Sequence, residues 1–587
     1  MFVRFHRVAA LFGFSRLDNG ERRSMAVAAR HCGTSMRNIL YAVQQCLFFV
    51  SVVLFAVGSS VGSLDIALAA VLVLYSSNLV FGFLRIRERL LFLFLHLGIA
   101  LFLLTRPVIG SLDPERTWFL GTQAATMFAL VSLYVSLAFL LLGAVLADCL
   151  AAWNRAAKDR RRRLRPRVVG SGRARLRVCR SAKGANALLD SNKIRYIRIA
   201  AFVCFLVCFA GSCYVGSVKL SYMQGLNYED YYLIELSDHV PWAIDALNTM
   251  MPYMMCAYLA AMPRRKPTLA VLALYIATTV PMLVIGSRSD FVIAFLFAAL
   301  YFAFRALTDK RERWIKRRTV VLVAMLVPLG VLAMGVINYT RSGDAIIGMS
   351  AFDLLADALF KQGVSFTVLG HGYDVNNQIQ ALGFKFYSLG GLTSTITEGF
   401  IGTTFFGFED LGSTNSAKLA LNGCSYSHAM SFFAHPNYLG GEGYGSSYVL
   451  ELYADFGMVG VAVGSFLLAV SLRALTCSMG KRWFWGMVAL ISSLFVFHMP
   501  RGTALEWISF LWATRFLLAV VLVITLSAVL AFAARVTKAH AMPVARPRLL
   551  VFGGRDEQGV LKVEPFEGKD TLRNKFGLRV CPVVRNR

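Results

Sequence analysis

Apolar residues come in blocks along most of the chain, and short polar or basic segments separate the blocks. Most blocks are about 18–25 residues long, the length that a helix needs to cross a hydrocarbon core of about 30 Å. We therefore predict an all-α polytopic membrane protein with about twelve transmembrane helices. These spans are expected at residues 38–60, 64–84, 90–105, 119–150, 197–216, 240–261, 268–285, 291–306, 319–337, 448–474, 484–499 and from 506–516 to a point before 535.

Lys and Arg cluster between alternate blocks, as expected for loops on the cytoplasmic side. The clusters lie in a basic loop at 153–196, in the run 310–318 and in the flanking segments 1–37 and 535–587. With twelve spans, all four fall on one side of the membrane. We expect a multi-pass protein of the bacterial cytoplasmic (inner) membrane, with both termini cytoplasmic, a transmembrane domain at 38–534 and a basic tail without a clear fold.

The first residues do not have the pattern of a secretory signal peptide. Residues 1–37 are basic, and the apolar stretch at 8–14 is short and broken. A start at Met25 or Met36 would leave the first predicted span intact, so the sequence leaves the translation start open.

A segment of about 110 residues, 338–447, separates the ninth and tenth predicted spans. Such a length is far above that of an ordinary connection. The segment is rich in Gly, Ser, Thr and aromatic residues, and it contains helical patterns such as 350–361. We expect a large extracytoplasmic loop that folds as a subdomain, in which 390–406 is a candidate re-entrant segment.

Composition agrees with a membrane protein and excludes other classes. Hydrophobic residues make up 57% of the chain and charged residues 16%, against about 25% charged in soluble proteins. The net charge of +28 is explained by the basic cytoplasmic segments, so nucleic acid is not an expected partner. The eleven Cys lie mostly in or beside apolar blocks and have no metal-binding spacing.

Polar side chains in a membrane are costly unless they face protein or water, so they are candidates for function. The predicted spans leave the membrane centre nearly free of them, and they gather instead at the predicted outer face, at Arg288, Asp290, Arg341, His435, Glu442, Glu451, Arg501 and Arg515. A transporter would need charges at mid-span depth. The pattern favours a site at the outer interface, where a lipid-anchored substrate presents its headgroup.

One stretch combines several unusual features. Residues 433–457 contain a Gly-rich turn region, and the span that follows carries Gly457, Gly460 and Gly464. Together with the large loop and the Gly-Ser-Arg-Ser-Asp hairpin at 286–290, this stretch resembles the O-antigen or oligosaccharide repeat-unit polymerases of the Wzy type.

The resemblance implies a GT-C-like, metal-independent glycosyltransferase that needs no cofactor. Its donor would be an oligosaccharide on undecaprenyl diphosphate, and its acceptor another lipid-linked repeat unit. Membrane lipids, a chain-length regulator and a flippase are the partners it implies. Three alternatives stay open: an O-antigen ligase-like transferase, a lipid-linked oligosaccharide flippase or other transporter, and a sensor or scaffold that acts through the basic loop.

The chemistry of this reaction assigns roles to the polar residues. Arg groups stabilise the charge that grows on a leaving diphosphate, and a His or Glu accepts the proton of the acceptor hydroxyl. The candidate catalytic residues are His435, Glu442 and Arg288. The candidate substrate-binding residues are Arg341, Arg501, Arg515, Asp290 and Tyr444, and no metal ligand is expected. Each has a structural alternative, such as snorkelling to the interface for the Arg residues and a hydrogen-bonded loop position for His435.

Overall fold

The structure is a computed structural model of the whole chain. It describes residues 19–164, 192–226, 231, 239–318, 321, 325, 330, 332, 350–383, 385–397, 400–409, 411–412, 414–541, 550–555 and 561–565. Most of the predicted ninth span and Arg341 lie outside these residues. The chain forms two compact units, residues 1–524 and 525–587.

Helices dominate both the membrane-spanning part and the long segment between the ninth and tenth predicted spans. The first group of helices is α1 (Asn19–Val61), α2 (Leu64–Leu84), α3 (Leu90–Ile99), α4 (Thr105–Leu112), α5 (Gln123–Leu164), α6 (Asn192–Tyr222), α7 (Trp242–Ala260), α8 (Arg265–Ile285) and α9 (Ser289–Thr308). The second group is α10 (Ala351–Gln362), α11 (Ser365–Asp374), α12 (Asn376–Ala381), α13 (Gly390–Thr397), α14 (Phe400–Phe405), α15 (Ala417–Asn422), α16 (Tyr426–Ala434), α17 (Tyr448–Ser478), α18 (Trp483–Val496), α19 (Glu506–Ser509) and α20 (Thr514–Ala541). Short 3₁₀ turns occupy Tyr387–Leu389, Tyr438–Gly440, Met499–Arg501 and Phe510–Trp512.

Nine helices in the described part of the chain are long and apolar enough to cross a membrane. They coincide with nine of the twelve predicted spans. The predicted sixth span is α7, which is a helix of 19 residues with Asp245 in its first turn, and the eleventh is α18, an apolar helix of 14 residues. A polytopic all-α membrane protein is confirmed at this level, and the number twelve stays a prediction.

Two predicted boundaries are wrong. The third span does not end at residue 105: a single π-helical turn, Ala100–Leu104, joins α3 to α4, so the apolar helix continues to Leu112. The last helix begins at Thr514 and continues past Arg535 to Ala541. In both cases the predicted span ended just before a charged residue, and a helix tolerates such a residue at its membrane boundary.

The expectation of a nearly polar-free membrane interior also needs correction. Asn78 donates from Nδ2 to the carbonyl of Leu137 at 3.0 Å and lies 3.1 Å from the buried His96 Nε2. Gln44 donates to Ser77 at 3.2 Å. Apart from Asn78 Oδ1, which lacks a partner, these contacts pair the polar groups they join, which makes them tolerable in an apolar interior.

Charged groups pair at the opposite end of the bundle from residues 350–447. Asp148, which is buried, accepts from Arg89 and from Arg473, and Arg473 also pairs with Glu88. These contacts join the α2–α3 connection to α5 and α17. Because each buried charge has a partner of opposite sign, the cluster avoids the large penalty of an isolated ion.

The described residues between 350 and 447 fold at one end of the bundle, which we call the loop face. Helix α10 begins with a capping box in which Ser350 and Asp353 satisfy each other's backbone N–H groups. Asp455 of α17 accepts from the backbone N–H groups of Tyr387 and Ser388 at 2.9 and 2.7 Å. The region is thereby hydrogen-bonded directly to a membrane helix.

Helix α17 is interrupted at Gly457, whose φ of 62° and ψ of −158° are not helical. Tyr448 and Ser465 both hydrogen-bond to Ser136, at 2.7 and 2.9 Å, whereas 17 residues of continuous helix would separate them by about 25 Å. Residues 448–456, here called the half-helix, therefore fold back along the start of 458–478. Gly460 allows this contact, because a Cβ there would collide with the carbonyl oxygen of Leu452.

The second unit contains a two-stranded antiparallel hairpin, β1 (Leu550–Arg555) and β2 (Leu561–Pro565), with Val551 opposite Glu564 and Phe552 opposite Val563. The tail expected to have no clear fold thus includes regular structure. Short runs of Leu, Val and Phe favour strands, and the high charge of the tail obscured them.

Replacing Gly457 by Ala should destabilise the protein by about 1–3 kcal/mol, because the left-handed conformation at this position is strained for any residue with a Cβ. Thermal unfolding of the detergent-purified protein measures the effect. Gly486→Ala is the matched control, since Gly486 is helical and a Cβ there meets its nearest neighbours at 3.7 Å. Equal melting temperatures for the two variants would contradict the strained reversal.

Candidate active site

His435 and Glu442 form a pair at the loop face, with 3.3 Å between His435 Nε2 and Glu442 Oε2. His435 ends α16 with extended backbone angles, φ −108° and ψ 118°, as the following Pro436 requires. Gly441, with φ 92°, ends the 3₁₀ turn at Tyr438–Gly440 and directs the chain back toward His435. The Gly-rich sequence thus brings together two candidates that are seven residues apart.

Asn437 orients both members of this pair. Its backbone N–H donates to His435 Nδ1 at 3.2 Å, and its side-chain amide donates to Glu442 Oε1 at 2.8 Å. Because Nδ1 accepts a hydrogen bond, the proton of a neutral His435 is on Nε2, facing the carboxylate. The proton-accepting nitrogen is therefore occupied, whereas the Glu442 side chain is 37% exposed and keeps open lone pairs.

Tyr444 lies between two imidazole rings. Its ring stacks on His371 with 4.6 Å between centroids and meets the His435 ring edge-on at 4.9 Å. Ser431 fixes the backbone, since its hydroxyl contacts both the N–H and the carbonyl of Tyr444 at 2.9 Å.

The surroundings of His371 favour its neutral form. Burial is the main cause that lowers the pKa of His371; the charges of Arg106 and His435 lower it further, and Asp374 opposes them. His371 therefore adds little positive charge of its own near neutral pH and acts through stacking on Tyr444.

Arg501 lies directly beside this cluster. It ends the 3₁₀ turn Met499–Arg501 that follows α18. A Cβ on Gly445 would lie 3.4 Å from the Arg501 carbonyl oxygen and 3.8 Å from its Nε, so the glycine leaves the space that the arginine stem occupies. The Gly-rich turn therefore places the Arg501 side chain beside Gly445, the residue that follows Tyr444.

Glu451 of the half-helix connects the two chain segments that carry these residues. Its fully buried carboxyl group accepts from the Ser446 hydroxyl and from the backbone N–H of Ala504, both at 2.7 Å. Ser446 follows Gly445, and Ala504 lies three residues after Arg501. The carboxyl group therefore fixes the position of Arg501 relative to the Gly-rich turn.

A second carboxyl group, Glu506, lies near Glu451 and His498. A Cβ on Gly502 would be 2.9 Å from Glu506 Oε2 and 3.2 Å from His498 Nδ1, so both side chains close around this glycine. Burial raises the pKa of Glu506 to about 7. The carboxyl group is therefore close to half-protonated at neutral pH.

The remaining sequence candidates lie elsewhere. Arg515 pairs with Asp245 at 2.7 Å and donates to Thr249 at 2.7 Å, both on α7. Arg288 is the N-cap residue of α9, and the charge that Asp290 faces is Lys219 on α6. Arg341 lies outside the described residues.

The described residues contain no group of three His, Cys, Asp or Glu side chains that could hold a metal ion. Two arginines are linked to this cluster: Arg501 lies beside Gly445, and the charge of Arg106 acts on His371.

The comparisons with known proteins identify the family. The family model for the O-antigen polysaccharide polymerase Wzy matches residues 41–531, most of the chain. The chain belongs to the Wzy O-antigen polymerase family. No curated protein and no solved structure gives a significant match. The resemblance found in the sequence is thus confirmed, and the family polymerises repeat units in polysaccharide synthesis.

Several residues near these candidates were missed by sequence reasoning, among them Arg106, His371 and Glu506. Arg106 was taken as the start of a loop because it follows an apolar run. His371 stands between two glycines, which is a usable signal of close packing. No sequence pattern indicated Glu506, because its position depends on the turn at Gly502.

The raised pKa of Glu506 predicts how the stability of this Wzy protein depends on pH. A carboxyl group with a raised pKa stabilises the folded state below its unfolded pKa, and this contribution is lost as the pH rises through the folded value. The melting temperature should therefore decrease as the pH rises from about 4.5 to about 7, and the free energy of unfolding should decrease by at most about 3 kcal/mol over this range. Glu506→Gln should remove this part of the pH dependence, and an unchanged slope in that variant would refute the assignment.

Proposed function

We propose that this protein polymerises undecaprenyl-diphosphate-linked oligosaccharide repeat units at the outer face of the cytoplasmic membrane, as a metal-independent glycosyltransferase. The observation that carries the proposal is the convergence of the His435–Glu442 pair and Arg501 on one Gly-rich turn. A proton acceptor next to a fixed cation is what transfer from a diphosphate donor requires.

In the proposed reaction, a hydroxyl oxygen of the acceptor unit attacks the anomeric carbon of the donor glycan. The bond from that carbon to the diphosphate oxygen breaks, and a glycosidic bond forms. The proton of the hydroxyl passes to Glu442, which keeps open lone pairs, while His435 and Asn437 hold the carboxylate in place. Undecaprenyl diphosphate leaves with its charge stabilised by Arg501.

The aromatic ring of Tyr444 suits a sugar substrate. It meets the His435 ring edge-on, the next residue, Gly445, lies beside Arg501, and its amphipathic ring offers a flat surface on which a sugar ring packs. In this arrangement the glycan lies over Tyr444 and the diphosphate extends toward Arg501. Arg288, Asp290, Arg341 and Arg515 remain substrate-binding candidates of the same reaction, with Arg515 also serving as the ion-pair partner of Asp245.

The sidedness of the proposal follows from charge. The basic segments at 153–196 and 310–318 belong to the ends of helices opposite the loop face, and basic loops favour the cytoplasm. The loop face is therefore extracytoplasmic. The lipid-linked substrate, a chain-length regulator and a flippase would meet the protein there.

Glu442→Gln should lower kcat by about 10²–10⁴-fold, since it removes the proton acceptor. Arg501→Gln should lower it by about 10²–10³-fold, since it removes a charge that acts on the leaving group. Both are measured with purified protein and synthetic undecaprenyl-diphosphate oligosaccharide. The control is Glu409→Gln, an exposed carboxylate paired with Lys418, which should retain wild-type activity. Wild-type kcat in both site variants would reject the site.

A cysteine at Glu409 should react with a membrane-impermeant maleimide from the periplasmic side, in a background without other cysteines. A cysteine at Lys158, which is exposed on the extension of α5, should react only after the cells are lysed. The reverse pattern would place the loop face in the cytosol and exclude the proposed substrate.

A further inference from the structure

Arg106 differs from the other arginines near the loop face in its partners. Its guanidinium lies over the ring of Phe360 at 4.5 Å, and its buried Nε has no hydrogen-bond partner. No carboxylate among the described residues forms an ion pair with it. Arg116 lies over the same ring at 5.7 Å but pairs with Asp113 at 2.8 Å and Asp357 at 3.1 Å.

The backbone around Arg106 is packed so as to hold it in place. A Cβ on Gly363 would lie 2.5 Å from the backbone nitrogen of Arg106 and 2.6 Å from the Cβ of Arg106. The π-helical turn Ala100–Leu104 comes immediately before, and the Thr105 hydroxyl donates to the Leu101 carbonyl at 2.7 Å. Such turns recur at functional sites because they re-aim the side chains that follow.

Arg106 is connected to the site through His371. The charge of Arg106 acts on His371, whose ring stacks on Tyr444. Arg501 lies beside Gly445, which directly follows Tyr444 along the chain. Tyr444 is therefore linked to two cations, to Arg106 on α4 through His371 and to Arg501 after α18 through Gly445.

A buried donor without a partner is costly, and in the half-buried Arg106 the buried Nε is such a donor. The cost is recovered if a ligand supplies the missing acceptor. Phosphate oxygens match the planar fork of a guanidinium and accept two parallel hydrogen bonds. A neutral sugar hydroxyl would satisfy the hydrogen bond but not the charge.

We infer that Arg106 is an anion-binding residue that takes a diphosphate oxygen of the substrate, near the His371 ring that stacks on Tyr444. The inference rests on the proposed function for the identity of the anion, because both the donor and the acceptor of that reaction carry a diphosphate. Gly363 and the π-helical turn are the structural elements that position this side chain.

Inorganic pyrophosphate is the probe, with the full-length protein in detergent and its thermal stabilisation as the readout. Wild-type protein should be stabilised by pyrophosphate, and Arg106→Gln should raise the apparent Kd by about tenfold or more, as for a lost charge-assisted hydrogen bond. Arg116→Gln is the matched control and should bind as wild type does, because Arg116 is already paired.

One further variant guards against a folding defect, and a second tests how Arg106 is positioned. Arg106→Lys keeps the charge and the aliphatic stem but lacks the fork, and should bind with intermediate affinity. Gly363→Ala keeps Arg106 but displaces it, and should also weaken binding. Three outcomes would each overturn the inference. Arg106→Gln could bind pyrophosphate with wild-type affinity, Arg116→Gln could weaken binding as much as Arg106→Gln does, or the wild-type protein could fail to bind pyrophosphate.

An activity measurement then assigns the anion to donor or acceptor. If Arg106 holds the donor, Arg106→Gln keeps its raised KM when a soluble oligosaccharide without diphosphate replaces the acceptor. If it holds the acceptor, the defect disappears. Pyrophosphate binding that depends on Arg106, in a protein that forms no polymer, would reject the proposed function while supporting the anion site.

Discussion

The carboxyl group of Glu451 accepts a hydrogen bond from Ser446 on one chain segment and from the Ala504 backbone on another. Both donors are buried, and leaving either without an acceptor would cost about 1–3 kcal/mol. The half-helix that carries Glu451 is itself held by Tyr448 against Ser136 and Ser465. Through this chain of contacts the membrane bundle determines where the Gly-rich turn and Arg501 meet.

The same half-helix explains why a site on a long segment between spans can be rigid. Asp455, one turn beyond Glu451, satisfies the backbone of Tyr387 and Ser388, and Gln380 donates to the carbonyl of Ala454 at 2.7 Å. The loop-face region is therefore attached to the bundle at hydrogen-bonding groups that the break at Gly457 exposes. Sites supported in this way keep their geometry better than sites on unattached loops.

Hydropathy was sufficient to predict most spans, because a helix in lipid must be both long and apolar. The Gly-rich stretch at 433–457 was sufficient to single out His435 and Glu442 as candidates, but their pairing was not predicted; closely spaced glycines allow the chain to turn back on itself and bring them together. The reversal at Gly457 was not predictable, because residues 448–474 have the pattern of one continuous apolar helix. The reversal is visible only in the structure, in the non-helical angles of Gly457 and in the contacts that the two halves make with Ser136 and with each other.

The ion-pair partners of charged side chains were also not predictable from the sequence. Arg515 and Arg501 look alike as single cations near predicted membrane boundaries, but Arg515 faces Asp245 across a helix interface. That contact depends on how α7 packs against α20, which no local pattern encodes. Roles that depend on pairing between distant helices therefore require the three-dimensional structure.

The π-helical turn at Ala100–Leu104 contains one residue more than an α-helical path of the same length would use. Each residue of an α-helix turns the chain by about 100°, so this extra residue rotates everything that follows by roughly that angle. Deleting one residue there would leave composition and hydrophobicity almost unchanged. The deletion would leave the arginine at its present angle, because the segment would then be a regular α-helix, whereas straightening the turn with all its residues kept would rotate the arginine by about 100°, a difference in angular phase that a hydropathy profile does not register.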